Sequence, residues 1–321
     1  MPRLIENEPM NLKRAFVRSM FDRYFRWRLP DLLAPAHPII LDYVDFPVAS
    51  PEPRYGFGKA PHMRLYDRIN EGRSRYAEQL RRLCAHRDCF ANIAVSEQSG
   101  SCEPYWENTY FSDLDAMALY GMLTERNPRL YVEVGSGNST KFARRAINDQ
   151  RLGTRLMSID PMPRAEIGDI CDEIIRMPFE QLDLSVLDQI EAGDFLFIDN
   201  SHLAFANSDV TSFFLDVYPR LRPGIVLQIH DVLLPYDYPP QWAHRYYSEQ
   251  YLLACHLLAT PQTQLPTILL ANAFISQDTE LNALAAEICR GTNLNAVFER
   301  SQPARRWSPP HRGVSIWMET T

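Results

Sequence analysis

The feature that most constrains the fold is a regular alternation of short apolar runs and helical patterns that begins at residue 130. The apolar runs predict strands at Leu130–Val134, Arg155–Ile159, Glu173–Met177, Phe195–Ile198, Ile225–Ile229, Thr267–Ala271 and Val314–Met318. Helical patterns lie between most of these runs, at Ser139–Asn148, Ser208–Leu221, Arg245–Leu258 and Thr279–Arg290. Strands that alternate with helices predict a mostly parallel sheet covered on both faces, so we expect a doubly wound α/β fold.

Composition narrows the class of protein. The chain has 321 residues, of which 45% are hydrophobic, and this allows one large domain with an extension or two domains. A net charge of -7 gives no general attraction to nucleic acid, so no nucleic-acid partner is expected. No stretch has the roughly 18 apolar residues of a spanning helix, and the N-terminus lacks the apolar core of a secretory signal. The cysteines are scattered without a Cys-x-x-Cys pair, which predicts a reduced, cytoplasmic protein.

The first 105 residues predict a helical and irregular N-terminal extension, with the α/β domain over residues 106–321. Between residues 11 and 29, apolar and aromatic residues recur at helical spacing among basic ones. Such a helix can lie on a membrane surface as a peripheral contact, but aromatic stripes more often pack on protein. We therefore favour docking on the same chain or on a second subunit of a homo-oligomer. A further helical pattern covers His62–His86.

Residues that end strands are the site candidates, because doubly wound folds bind ligands beyond the carboxyl ends of their strands. The first corner follows Glu133 and reads Gly135-Ser-Gly-Asn-Ser-Thr140, which lacks the third glycine of a dinucleotide fingerprint. Glycine there permits a positive φ and close approach of a ligand, although a purely structural turn is the alternative. About 20 residues on, Asp160 ends the second strand, where a carboxylate either accepts the ribose hydroxyls of a nucleoside or caps a helix.

Four motifs in order then resemble a class I S-adenosylmethionine-dependent methyltransferase: VEVGSGNST, SIDP, DFLFIDNSH and LRPGIVLQIHD. The sequence is most similar to the bacterial group found beside sugar and polysaccharide biosynthesis genes, which is related to natural-product O-methyltransferases. The resemblance spans roughly residue 106 to the C-terminus. It implies a Rossmann-like seven-stranded sheet whose last strand, at GVSIWME, is antiparallel.

The resemblance also implies where S-adenosylmethionine binds. Its methionine part is expected against the first corner and its ribose on Asp160. The segment before the first strand resembles a lid that carries Asn108 and Phe111. Met177 and Phe179 can flank an adenine ring, although apolar residues at a strand end are more often core. The expected cofactor-binding residues are Glu133, Gly135, Ser136, Gly137, Ser139, Asp160, Met177, Phe179, Asp199 and Asn108.

The fourth and fifth strands end in two aspartates and two histidines. Asp199, His230 and Asp231 can hold a divalent cation; Mg²⁺ prefers oxygen ligands, whereas an imidazole shifts the preference toward Mn²⁺. His202, three residues after Asp199, is the expected base, since the pKa of histidine lies near the working pH. In metal-dependent sugar O-methyltransferases an acidic pair stands where His230-Asp231 stands here. His230 is therefore an alternative base, and a structural role for the histidines is a further alternative.

The residues after the fifth strand suggest two further side-chain arrangements. Tyr236, Tyr238 and Trp242 can form an apolar platform for an acceptor, or can pack their loop onto the sheet. Arg245 and Glu249 are one helical turn apart and can form an ion pair on the helix surface.

The expected function is methyl transfer to a hydroxyl of a sugar or related metabolite, either a small molecule or a glycan, assisted by a metal and a histidine base. One alternative is a nicotinamide-dependent oxidoreductase or epimerase. It requires a third glycine and a Tyr-x-x-x-Lys pair, yet Lys141 is the only lysine beyond residue 60. The other is a non-catalytic assembly module, in which apolar residues would serve as well as the strand-end acids.

Overall fold

The structure is a computed structural model that describes residues 52–98, 101–108, 110–163, 165, 167–295 and 312–321. The chain separates into two compact units, Met1–Val48 and Ala49–Thr321, and the described residues belong to the second unit. The predicted helix between residues 11 and 29 lies outside the described residues. Its docking on protein or membrane therefore stays a prediction.

The described residues form a seven-stranded sheet in the order β3-β2-β1-β4-β5-β7-β6. Strands β1 to β5 run parallel to one another, and β7 is antiparallel to both of its neighbours, β5 and β6. This confirms the predicted sheet and its antiparallel last strand. The strands are β1 Leu130–Val134, β2 Arg155–Ile159, β3 Glu173–Ile175, β4 Phe195–Ile198, β5 Val226–Ile229, β6 Thr267–Ala271 and β7 Ile316–Glu319.

The central strands are buried at every position because both faces of the sheet are covered. Strands β1, β4 and β5 contain no exposed or half-buried residue. A parallel strand of this kind is apolar on both sides instead of alternating, which is why the sequence shows continuous apolar runs. Glu133 is the exception in β1, and its burial requires hydrogen-bond partners.

Helices cover the sheet and connect its strands. Within the described residues, none is both long and apolar enough to cross a bilayer. The α-helices are α1 Met63–Asn70, α2 Arg73–Leu83, α3 Arg87–Ala91, α4 Asp113–Arg126, α5 Asn138–Gln150, α6 Asp209–Ser212, α7 Glu249–Ala259, α8 Asn272–Gln277 and α9 Thr279–Glu287.

Two predicted helices differ from the observed ones for local reasons. The pattern over His62–His86 is interrupted at Gly72, which caps α2, so two helices replace one. The pattern predicted from Arg245 begins only at Glu249, because Tyr246 adopts a left-handed conformation with φ 56°. The helical spacing of apolar residues continues across both breaks, which is why the sequence alone did not reveal them.

Residues before position 106 contribute to the core around the sheet. Tyr76, Leu80 and Leu83 of α2 are fully buried and belong to the main hydrophobic cluster. The compact unit that holds the sheet begins at Ala49, whereas the sequence predicts the start of the α/β domain at residue 106.

Candidate functional site

A cavity of about 950 Å³ opens at the carboxyl ends of β1, β2 and β4. This is the edge at which ligands bind in doubly wound sheets. The strand-end residues predicted from the sequence divide into those that line the cavity and those that lie behind it. Its described lining includes Gly135, Ser136, Gly137, Ser139, Asp160, Phe179 and Asp199, together with Phe111 of the predicted lid.

The first corner brings β1 and β4 together through one glycine. Gly135 has φ +80°, and a Cβ at this position would lie 1.7 Å from the carbonyl oxygen of Asp199. No side chain fits there, so the chain requires glycine for both conformation and space. Gly137 differs, because its φ of 176° suits any residue and a Cβ would meet nothing within 4 Å. Glycine at position 137 leaves open space at the start of α5.

Glu133 supports this corner from behind. Its side chain is fully buried and accepts hydrogen bonds from the hydroxyls of Ser139 and Thr140, the latter at 2.6 Å. Burial outweighs these bonds and raises the pKa of Glu133 to about 8. Glu133 is not among the described residues that line the cavity, so the structure places it between β1 and the first turn of α5.

Asp160 lines the cavity and also holds the corner in place. One carboxylate oxygen accepts from the backbone N–H of Ser136 at 2.7 Å, and the other accepts from that of Met162 at 2.6 Å. The described residues between β2 and β3 form no helix, so Asp160 does not cap one, and the ribose contact stays a prediction. Its carboxylate shapes the turn and remains at the cavity wall.

The remaining predicted cofactor contacts take different positions. Phe179 is buried and lines the cavity, whereas Met177 is 39% exposed and does not. Asn108 also lies outside the described lining. Its side-chain oxygen accepts from the backbone N–H of Phe111 at 2.7 Å, and its amide donates to the carbonyl of Tyr105 at 2.9 Å. Asn108 thus shapes a turn whose aromatic residues do line the cavity.

The four residues that end β4 and β5 come together, as expected. We call Asp199, His202, His230 and Asp231 the strand-end cluster. An oxygen of Asp199 lies 3.3 Å from Nε2 of His202 and 3.3 Å from Nδ1 of His230. Asp231 lies 3.4 Å and 3.5 Å from the same two nitrogens. Both histidines are buried, and of these four residues Asp199 lines the cavity.

Backbone strain occurs within this cluster. His202 has φ 61° and Asp231 has φ 53°, in the left-handed region that non-glycine residues rarely occupy. Such conformations cost about 1–3 kcal/mol each and persist where surrounding contacts enforce them, often at functional sites. The turn at His202 is supported by its N–H, which donates to the side chain of Asn200 at 3.1 Å.

Two carboxylates that the sequence did not assign to the site flank the cluster. Glu249 lies 2.8 Å from Nδ1 of His202, and Asp115 lies 3.6 Å from Nε2 of His230. Asp115 also accepts from the backbone of Ser315 at 2.8 Å and from the amide of Asn272 at 2.7 Å. Both acids stand in apolar helical sequence, and a charge on a buried face needs a partner. That signal could have identified them.

The predicted surface pair of Arg245 and Glu249 is wrong. Glu249 is fully buried beside His202, and the Arg245 guanidinium lies over the Trp242 ring at 4.7 Å from its centre. Tyr246 ends the preceding turn, so the two residues do not share one helix. Tyr238 and Trp242 are themselves buried in a small cluster with Leu233, so they pack their own loop and do not form an open platform.

The comparison with known families gives one match. Residues 132–232 match the family model described as a methyltransferase domain. Over these residues the chain carries a methyltransferase domain, on the sheet order already described. The match includes the first corner, Asp160 and the whole strand-end cluster, and it confirms the resemblance. Asp115 and Glu249 lie outside the matched residues.

Solved methyltransferases are similar to this chain only at low identity. A methyltransferase from Thermobifida fusca is 13% identical, with 44% of this chain and 55% of that chain covered and a TM-score of 0.29. The chain therefore spans about half the length of that protein. An O-methyltransferase from Bacillus cereus, solved with S-adenosylhomocysteine, is 17% identical over 76% of this chain and 91% of that chain, with a TM-score of 0.31.

TomG from Streptomyces achromogenes is an O-methyltransferase involved in tomaymycin synthesis and was solved with S-adenosylmethionine. It is 16% identical over 76% of this chain and 90% of that chain, with a TM-score of 0.30. No curated protein matches the sequence. Similarity at this level says nothing about a substrate of this chain.

The charged groups of the strand-end cluster shift one another's pKa values. Burial opposes protonation of His202, but Asp231, Asp199 and Glu249 raise its pKa well above the ordinary value. The pKa of His230 is raised in the same way, by Asp199, Asp231 and Asp115, against the opposing effect of burial. Burial would raise the pKa of Asp199, yet the two imidazoles hold it well below its ordinary range. The site therefore stabilises positive charge beside Asp199.

The donor atoms of the cluster fit a metal ion. Ligand atoms of Asp199, His202 and His230 all lie within 4.8 Å of one another. Both ring nitrogens of His230 are buried, and among the described residues they have carboxylate oxygens at 3.3–3.6 Å but no hydrogen bond of good geometry, which leaves them available to a cation. The predicted ligands were Asp199, His230 and Asp231, so this grouping shares two of them and contains His202 in place of Asp231. The metal ligands remain a prediction.

Proposed function

We propose that the chain is an O-methyltransferase that transfers the methyl group of S-adenosylmethionine to a hydroxyl of a sugar or related metabolite. One observation carries the proposal: Asp199 belongs both to the wall of the cavity and to the strand-end cluster. The cavity has the glycine corner and strand-end carboxylate that suit a nucleoside ligand. The cluster has the imidazoles and carboxylates that suit deprotonation of an alcohol. Asp199 places the two side by side.

The donor is proposed to bind along the ends of β1 and β2. Asp160 accepts the ribose hydroxyls, and Phe179 packs against the adenine ring at the end of β3. The methionine part lies against Ser136 and Gly137 at the first corner. A volume of about 950 Å³ can hold this ligand together with a small acceptor or one end of a glycan.

The transfer needs an acceptor oxygen in line with the methyl group and a group that takes the hydroxyl proton. As the new C–O bond forms, the bond between sulfur and the methyl carbon breaks and its electron pair stays on sulfur. We assign His202 as the base. Its Nδ1 faces Glu249, so Nε2 is the atom that faces Asp199 and Asp231. His230 is the alternative base, because its Nδ1 lies 3.3 Å from the same oxygen of Asp199.

A divalent cation is part of the proposal, held by Asp199, His230 and Asp231. Such an ion would polarise the acceptor hydroxyl and offset the carboxylate charge that raises the pKa of the neighbouring imidazoles. The imidazole of His230 shifts the preference toward Mn²⁺ or another first-row metal, because Mg²⁺ prefers oxygen ligands.

The decisive experiment measures donor affinity and then transfer. Calorimetry should show binding of S-adenosylmethionine and S-adenosylhomocysteine to the wild type and much weaker binding to Asp160→Ala. Labelled methyl donor should then modify at least one member of a panel of sugars, nucleotide sugars and glycosides. Absence of any affinity for the donor and its product would overturn the proposal. Donor binding with no transfer to any hydroxyl, but with transfer to an amine or thiol, would overturn the acceptor assignment.

A further inference from the structure

Asp115 is a fully buried acid whose carboxylate binds several parts of the chain. It stands in the first turn of α4 and has no exposed surface. Its Oδ1 accepts from the backbone N–H of Ser315 at 2.8 Å and from the side-chain amide of Asn272 at 2.7 Å. A Cβ at Gly313 would lie 2.8 Å from this oxygen, so the chain closes tightly around it. A carboxylate enclosed in this way keeps one position relative to the sheet.

The other oxygen of this carboxylate faces His230. Oδ2 of Asp115 lies 3.6 Å from Nε2 of His230. Among the described residues, no other carboxylate is in ion-pair contact with Nε2. The opposite ring nitrogen, Nδ1, lies 3.3 Å from Asp199 and 3.5 Å from Asp231. The two nitrogens of His230 therefore face different carboxylates, and Asp115 stands on the side away from the proposed metal ligands.

Aromatic packing leaves the imidazole of His230 little freedom. The residue is 3% exposed, and its ring centre lies 5.4 Å from that of Phe111 and 6.2 Å from that of Phe197. Because the ring is fixed by packing, the groups that face its two nitrogens decide which of them carries a proton. A nitrogen that serves as a metal ligand must be free of a proton, and the N–H on the other nitrogen then needs an acceptor. An ionised carboxylate is such an acceptor and cannot donate.

We propose that Asp115 is a positioning residue that accepts the Nε2–H of His230 and so presents the Nδ1 lone pair toward the two aspartates of the strand-end cluster. The inference rests on the cation included in the proposed function, and it adds a residue that precedes the matched family region. A histidine that binds a metal through one nitrogen usually donates the other N–H to a carboxylate, a carbonyl or water, which fixes its orientation. The donors to Oδ1 of Asp115 prevent its carboxylate from turning away from this position.

The first test measures the affinity of Asp115→Asn for Mn²⁺. The substitution keeps an oxygen for the donors that bind Oδ1 but places an amide N–H₂ opposite Nε2 of His230, where two donors then meet. Titration followed by the electron paramagnetic resonance signal of free Mn²⁺ should show an affinity about 10- to 100-fold lower than that of the wild type. Unchanged affinity in Asp115→Asn would overturn the proposal.

The matched control is Ser112→Ala. This substitution removes a hydroxyl that donates to Oδ2 of Asp115 but leaves the carboxylate facing His230. It should therefore bind Mn²⁺ as the wild type does. If both variants lose affinity equally, Asp115 only supports the local fold and the proposal fails.

A second measurement needs no metal. Nuclear magnetic resonance of the metal-free wild type with isotope-labelled histidine should show an Nε2–H proton of His230 that is protected from exchange with water, because this nitrogen is buried against a carboxylate. Loss of the signal in His230→Gln assigns it. Absence of a protected Nε2–H would overturn the proposal even if Asp115→Asn does not fold. A protected Nε2–H in a wild type that binds no Mn²⁺ would support the contact with Asp115 and would instead overturn the cation of the proposed function.

Discussion

Asp199 is the residue on which the chemistry of the site converges. Its backbone carbonyl lies where a Cβ of Gly135 would stand, and its carboxylate contacts both buried imidazoles. Any residue that displaces its backbone therefore disturbs the cavity and the cluster together. The two glycines of the first corner allow this coupling to be tested, because their surroundings differ.

Gly135→Ala should destabilise the fold, whereas Gly137→Ala should not. At position 135 the added methyl group meets backbone at 1.7 Å with φ +80°, so we expect a loss of about 2–4 kcal/mol in the free energy of unfolding. At position 137 a methyl group meets nothing within 4 Å but occupies cavity space. That variant should unfold like the wild type in urea and bind S-adenosylhomocysteine more weakly. Equal stability of the two variants would contradict the role of Gly135.

Glu249→Gln tests whether the buried acid orients His202. The carboxylate lies 2.8 Å from Nδ1, and loss of a partner that orients an active-site histidine typically reduces activity about 10- to 100-fold. We expect kcat to fall by that factor while the KM for the methyl donor changes little, because Glu249 does not line the cavity. The measurement is steady-state kinetics with the acceptor identified in the screen.

The control for this substitution is Glu191→Gln, which removes an acid that is 63% exposed and should leave both constants unchanged. Glu249→Asp should retain more activity than Glu249→Gln if charge and orientation both matter. A rise in KM alone, with kcat preserved, would show that Glu249 does not act through His202.

At the scale of elements, the sequence predicted where strands lie better than it predicted which side chains of the helices contact the strand ends. The central strands β1, β4 and β5 appear as apolar runs because both sides of each are buried, and a run of this kind is visible without knowledge of the fold. The site residues that end β4 and β5 were found for the same reason. Their position is fixed by the strand that precedes them.

Glu249 and Asp115 were missed because their partners are remote in sequence. Glu249 is 47 residues from His202, and nothing in the local pattern of α7 indicates which face meets the end of β4. The left-handed residue Tyr246 shifts the start of α7 and turns Glu249 inward. Such pairings depend on how helices pack on the sheet, which periodicity alone does not determine.

The junction of β1 and α5 makes a prediction about pH. Burial raises the pKa of Glu133 to about 8, against 4.5 for an ordinary glutamate. The folded state therefore binds a proton that the unfolded state releases, so this contribution to stability is present below about pH 4.5 and is lost as pH rises toward 8. Glu133→Gln keeps the shape without the titration. Its free energy of unfolding should exceed that of the wild type by a few kcal/mol at pH 8.5, and by much less at pH 5.

Urea unfolding of both proteins across this pH range isolates the effect, because all other titrating groups are shared. Glu173→Gln, at an exposed position in an ion pair with Arg155, serves as the control and should give no such divergence. Parallel stability curves for wild type and Glu133→Gln would show that Glu133 remains ionised in the fold.

At the scale of the whole molecule, the strand-end cluster links parts of the chain that are distant in sequence. Its two histidines follow β4 and β5, while the flanking acids come from α4 and α7. Asp115 also binds the backbone just before β7 and the side chain of Asn272 in α8. An ion that binds this cluster only in the folded state must stabilise the entire domain, since unfolding would release it.

Mn²⁺ should therefore raise the unfolding temperature of protein first treated with chelator. At about 100 times its dissociation constant, a ligand specific for the folded state adds about 2.7 kcal/mol, equivalent to several degrees for a domain of this size. Mg²⁺ should have a smaller effect because one of the proposed ligands, His230, is an imidazole and Mg²⁺ prefers oxygen. His230→Gln should abolish the shift, whereas replacement of His256, which hydrogen-bonds Tyr218 away from the cluster, should preserve it. If neither ion nor the chelator changes the unfolding temperature, the cluster binds no such metal. Proton transfer would then depend on the imidazoles and carboxylates alone.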